Sequence, residues 1–217
     1  MGEPAAGLCG GWFVALPTSS HASLPLPTDP QSPSDLEEQF VSRETLVEGI
    51  LLTVHRDTVR LPDGETSRRE WIEHPGAAAV VPLLPDGRVV LVRQFRYPPR
   101  REFLEVPAGK LDHDGEAPAE LAKRELQEEA GYAAGRLTPL GKTYPCIGYA
   151  NEVIHLFLAE DLTESALEAE DDEFVEPVAL PFDEVVAMAE RGELLDAKTE
   201  VAVLRARAEL ARRGAGG

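Results

Sequence analysis

The sequence predicts an α/β (α+β) fold: a mixed β-sheet sandwiched between α-helices, with a β arm ahead of it. Two observations lead there. Short apolar stretches separated by turn residues dominate residues 38–110, and helical patterns are then interspersed among further strands. A hydrophobic content of 43% is that of a globular chain.

Residues 1–37 are rich in Pro, Ser and Ala and read as a disordered tail. Leu8–Leu16 is apolar, but no Lys or Arg precedes Arg43, so the positive region of a signal peptide is missing. From Glu38 the character changes. Leu46–Arg60 reads as extended, and Pro62-Asp63-Gly64 as a turn. Ser67–His74 follows as a second strand, so residues 38–75 form a two-stranded arm. Ala77–Leu84 and Arg88–Arg96 flank Pro85-Asp86-Gly87, a strong hairpin signal. Phe103–Val106 is a short strand running into Pro107-Ala108-Gly109. A helix spans about Ala117–Ala130, with Gly131 as its C-cap. Leu137–Tyr144, Glu152–Ala159 and Phe174–Leu180 read as strands. Asp183–Arg191 reads as a helix closed by Gly192, and Asp196 caps a last helix to about Arg212. Residues 160–176 hold nine acidic and no basic residues and read as a solvated loop. The expected globular domain is 76–213.

The formal net charge is −18, from 21 Lys and Arg against 39 Asp and Glu. Such a surface repels nucleic acid and anionic membranes, so neither is an expected partner. A phosphate substrate needs a local reversal of sign, by a metal ion or an Arg cluster. No apolar run is long enough to span a membrane. Cys9 and Cys146 form no CxxC pair, in keeping with a cytoplasmic location.

The chemistry concentrates in Gly109–Tyr132, GKLDHDGEAPAELAKRELQEEAGY. Glu125, Glu128 and Glu129 stand at i, i+3 and i+4, so their carboxylates share a helix face. Ala119, Ala122, Leu126 and Ala130 form a separate apolar stripe. Three like charges on one turn form either a solvated face or a site for a hard cation such as Mg2+ or Mn2+.

Gly109, Glu116, Arg124, Glu125, Glu128, Glu129 and Gly131 resemble the box of the Nudix family, written G-x5-E-x7-R-E-U-x-E-E-x-G-U, where U is bulky and apolar. Leu126 and Tyr132 occupy the U places. One departure is an extra residue: six, not five, separate Gly109 from Glu116. The resemblance continues from about Glu38 to Arg212. VRQFRY (Val92–Tyr97), EVPAGKLD (Glu105–Asp112), YPCIGYANEVIHLFLA (Tyr144–Ala159), EDDEFVE (Glu170–Glu176) and DAKT (Asp196–Thr199) look like the ADP-ribose pyrophosphatase branch, as does Pro145, fourteen residues after Gly131.

The resemblance implies a Nudix fold and Mg2+-dependent hydrolysis of the diphosphate bond of ADP-ribose or a similar nucleoside diphosphate sugar. It implies that Glu125, Glu128 and Glu129 bind metal together with the backbone carbonyl of Ala108. Glu116 would support the loop or a metal, and Arg124 would orient the glutamates. Catalysis would fall to Glu128, Glu129 and a base on the later acidic loop, Glu173. Arg93 and Arg96 are candidates to grip the diphosphate, the alternative being surface salt bridges. Glu152 would bond a ribose hydroxyl or stand as a surface carboxylate. Trp71 would stack on adenine or belong to the core. A homodimer joined by the N-terminal arm is expected. The competing readings are a GDP-mannose, dinucleoside polyphosphate or nucleoside triphosphate hydrolase, and a non-catalytic sensor of nucleotide sugars.

Overall fold

The computed structural model describes residues 35–113, 115–167 and 174–214. All but residues 35–37 of the expected tail fall outside them. Three strands open the described chain: β1 (Gln39–Glu48), β2 (Thr53–Arg60) and β3 (Thr66–Glu73), in an antiparallel sheet of order β1-β2-β3. The expectation of two strands is corrected here. The stretch read as one extended segment breaks at Gly49–Leu52, where the Gly49 N–H donates to the Leu52 carbonyl at 2.9 Å. β1 also begins earlier, at Gln39. It is exposed along almost its whole length, so it has no buried face to imprint a period on its sequence.

Seven strands and three helices follow. They are β4 (Ala77–Pro82), β5 (Arg88–Arg96), β6 (Arg101–Glu105), β7 (Ala108–Lys110), α1 (Pro118–Ala130), β8 (Tyr132–Thr143), β9 (Ile154–Glu164), β10 (Val175–Pro181), α2 (Phe182–Glu190) and α3 (Ala197–Gly214). One sheet has order β7-β4-β9-β8 and is mixed, with β4 parallel to β9 and antiparallel to β7. The other, β10-β5-β6, is antiparallel.

Every residue of β4 is buried, because both its faces are covered. Ala77, Ala79 and Val81 enter a core shared with α2, α3 and Val89 and Leu91 of β5. Ala78 and Val80 enter a second core, with Leu121, Ala122 and Leu126 of α1. A fully buried valine stabilises by roughly 1.5–3 kcal/mol. The helices thus sandwich the sheet as predicted.

The expected β4–β5 hairpin keeps its turn but not its ladder. Gly87 takes φ 82°, its N–H donates to the Leu84 carbonyl at 3.0 Å, and Leu83 and Val89 form a single bridge. Beyond it the strands part into different sheets, since both edges of β4 are taken by β7 and β9. The acidic stretch is also corrected at its start: Glu160–Glu164 complete β9. There Glu160 is buried against Arg136 and Arg213, at 3.0 and 2.6 Å.

Candidate active site

Helix α1 starts with Pro118 in its first turn and ends on Gly131, whose φ of 78° is the left-handed stop that favours glycine. Leu121, Ala122, Leu126 and Ala130 bury one stripe. Leu121 joins the expected set, whereas Ala119 is only partly buried. Glu125 and Glu129, one turn apart, are buried as well. Carboxylates held out of water need partners.

Arg124 supplies one to Glu125, and also reaches Glu128 and Glu116. Its Nη1 lies 2.8 Å from Glu128 Oε2 and 3.0 Å from Glu125 Oε1. Its Nε and Nη2 reach Glu116 at 3.2 and 3.3 Å. The hydrogen bond to Glu116 raises the Arg124 pKa despite burial, with further help from the charges of Glu125 and Glu128. Glu129 Oε2 accepts the Ala108 N–H at 2.9 Å. Just before Glu116, Gly115 takes φ 78° and the Glu116 N–H donates to the His113 carbonyl at 3.1 Å. Glu116 still reaches Arg124.

Gly109 shows why this turn of chain has no side chain. A Cβ there would lie 1.9 Å from Glu125 Oε1 and 2.3 Å from its Cδ. Any substitution must push the carboxylate away, so the glycine is needed for close approach. Among the described residues no three His, Cys, Asp or Glu side chains are already drawn together tightly enough to hold a metal ion. The donor set nonetheless fits a hard divalent cation. It consists of carboxylate oxygens within one helical turn, and the glycine notch seats Glu125 against the Ala108–Gly109 backbone.

Glu125 and Glu128 face a cavity of about 490 Å³. Opposite charge enters it from Arg96, Lys110, Arg124 and Lys198. Two of these cations are tied to Glu105, itself 2% exposed. Arg96 donates to both its carboxylate oxygens, at 2.7 and 2.8 Å, and Lys198 pairs with it and with Asp196. Burial acts to raise the Glu105 pKa, but Arg96 and Lys198 outweigh it and hold the carboxyl below its ordinary value. Asp196 caps α3 as expected, accepting the Thr199 N–H at 3.1 Å. Thr199 Oγ1 in turn accepts the Val106 N–H at 2.9 Å, which locks this helix start to the end of β6.

The remaining candidates divide. Glu152 lines the cavity beside His74, and Leu51 and Leu52 of the arm close one side. Arg93 and Arg96 part company: three residues apart on a strand, they point to opposite faces. Arg93 pairs with Glu102 and Glu176 and does not line the cavity. Trp71 is also elsewhere. Its Nε1–H donates to Asp57 Oδ2 at 3.0 Å, and the Arg43 guanidinium lies 4.7 Å from its ring. Glu173 lies outside the described residues. Glu105, Lys110, Lys198 and His74 were not singled out from the sequence. The first three sit in the EVPAGKLD and DAKT strings, but nothing local says that these strings meet.

Comparisons with known proteins cover both parts of the chain. Residues 72–200 match the NUDIX domain, and residues 38–72 match the nucleoside diphosphate sugar hydrolase N-terminal domain. An ADP-ribose pyrophosphatase of Bacillus subtilis is 41% identical over 170 residues, which cover 77% of this chain and 91% of that protein. A methanol dehydrogenase activator of Bacillus methanolicus is 38% identical over 169 residues, with 77% and 91% covered. Among solved structures, one titled as an ADP compounds hydrolase superposes with a TM-score of 0.74 at 26% identity, covering 84% of this chain and 99% of the other.

Proposed function

The chain belongs to the Nudix family, and from that premise we propose that it hydrolyses the diphosphate bond of ADP-ribose or a related nucleoside diphosphate sugar, with Mg2+ or Mn2+ as cofactor. One observation carries the reading. In a chain of net charge −18, Glu125 and Glu128 of α1 and four cationic side chains line the same cavity. Its carboxylate side suits a hard cation and its cationic side suits phosphate.

Glu125, Glu128 and Glu129 would hold the metal, with the Ala108 carbonyl. When bound, the cation offsets charge on the phosphate oxygens and makes water a better nucleophile. Arg124 keeps the glutamates oriented. Arg96, Lys110 and Lys198 grip the diphosphate, and Glu105 holds Arg96 and Lys198 in place. Water attacks one phosphorus, the bond from that phosphorus to the bridging oxygen breaks, and ADP-ribose yields AMP and ribose 5-phosphate. Glu173 is the proposed base for the water's proton.

The same reading includes a two-fold homodimer. Phe40, Val47 and Ile50 of the arm are exposed in the single chain and call for a partner surface. Pairing arms would carry Trp71 toward a partner's adenine site and make residues 38–75 a dimerisation unit ahead of the 76–213 hydrolase domain.

The test is a panel of ADP-ribose, GDP-mannose, ADP-glucose, NADH, diadenosine polyphosphates and 8-oxo-dGTP, with Mg2+ and with EDTA, read by product chromatography. AMP and ribose 5-phosphate formed only with metal support the proposal. Undiminished turnover in EDTA, or free phosphate as product, rejects it.

A further inference from the structure

His74 joins β3 to β4 at the edge of the cavity, and both faces of its chemistry are constrained. Its own N–H donates to Asn151 Oδ1 at 2.8 Å. The Gly76 N–H donates to its ring Nδ1 at 3.1 Å. A ring nitrogen that accepts carries no proton, so the imidazole proton sits on Nε2. Nε2 lies 3.8 Å from Glu152 Oε1, and both residues line the cavity. That separation is too long for a hydrogen bond. It leaves a donor and an acceptor, each about four-fifths buried, facing one gap.

A hydroxyl group is the small substrate group that both accepts and donates. Resting on the proposal that the cavity takes a nucleoside diphosphate sugar, we propose that His74 is a specificity-determining residue. Its Nε2–H donates to one sugar hydroxyl, and that hydroxyl donates to Glu152. The Gly76 contact sets the tautomer that makes this possible. A substrate lacking the hydroxyl leaves both groups unpaired, and unpaired buried polar groups are where discrimination is strong.

Two substitutions separate this role from a structural one. His74→Asn keeps an acceptor near the Nδ1 position for the Gly76 N–H and removes the Nε2 donor. His74→Gln does the reverse. The full chain is assayed with Mg2+ on ADP-ribose and on analogues each lacking one ribose hydroxyl, and both variants are melted. His74→Asn should raise KM for ADP-ribose roughly tenfold or more, with kcat changed less than threefold and Tm kept. His74→Gln should lower Tm but bind closer to wild type. For one deoxy analogue, wild type should show the same penalty, and His74→Asn should add little to it. If His74→Asn matches wild type, if His74→Gln alone loses affinity, or if the penalties add on every analogue, the assignment is overturned. Failure of the wild-type enzyme to cleave any nucleoside diphosphate sugar would refute the parent reading first, and this inference with it.

Discussion

The box helix and the N-terminal sheet are both built from charged side chains, but they balance them differently. In the arm, acid meets base largely in pairs: Arg43 with Asp57 at 2.8 Å, His55 with Glu73 at 2.8 Å, Arg56 with Glu70 at 2.7 Å. Around α1, three carboxylates share the guanidinium of Arg124, and a fourth takes a backbone N–H. Several of the arm's charges are matched within the sheet, and the arm also leaves apolar surface open. The helix leaves negative charge in excess, beside a cavity. One region calls for a protein surface and the other for a cation.

That contrast is open to direct test. The largest effect is expected from deleting residues 1–75, which should abolish both dimer and turnover by light scattering and assay. Ile50→Asp should split the dimer without the same risk to the fold. A fully active monomer without the arm would reject a shared site. Next, Glu129→Gln should cut kcat by about 100-fold or more, the scale of losing a major charge-stabilising group, with circular dichroism unchanged. Gly109→Ala should cost about tenfold or more in kcat, because its Cβ and the Glu125 carboxylate would claim the same space. A wild-type rate there would mean that the seat of Glu125 is unimportant.

A smaller loss is expected from Glu105→Gln: a KM rise of about tenfold, and weaker substrate binding than in Arg93→Ala. Its stability effect carries a sign. Because the folded-state pKa of Glu105 is depressed, its contribution is complete above the ordinary value of 4.5 and fades as pH falls through the lowered value. The Tm gap between wild type and Glu105→Gln should therefore narrow in acid. A gap that widens in acid would contradict the ion-pair account. Removal of residues 1–35, which by composition read as a tail, should change turnover less than about twofold, the range of most surface changes.

Much of the site was legible because helical spacing is local. Glu125, Glu128 and Glu129, Arg124 beside them and the Gly131 stop are set by 3.6 residues per turn, whatever packs around them. The same locality misleads on strands. Arg93 and Arg96 looked like a pair by number, but a two-residue period sends them to opposite faces. The Asp-Gly turn after β4 follows from its own residues, whereas the ladder expected beyond it does not form. Which edge a strand finds depends on what already occupies that edge.

Elements whose cause lies within a few residues can be read from the chain alone: the box helix, its carboxylate face, its Gly131 C-cap and the alternation of strands with helices. Packing between distant segments is what makes Glu105 on β6 hold Arg96 from β5 and Lys198 from α3, nests Glu125 against Gly109, and sets His74 across a gap from Glu152. These contacts join positions up to 93 residues apart. Such pairs carry no spacing rule, because the packing of sheets and helices, not the chain between them, sets the distance.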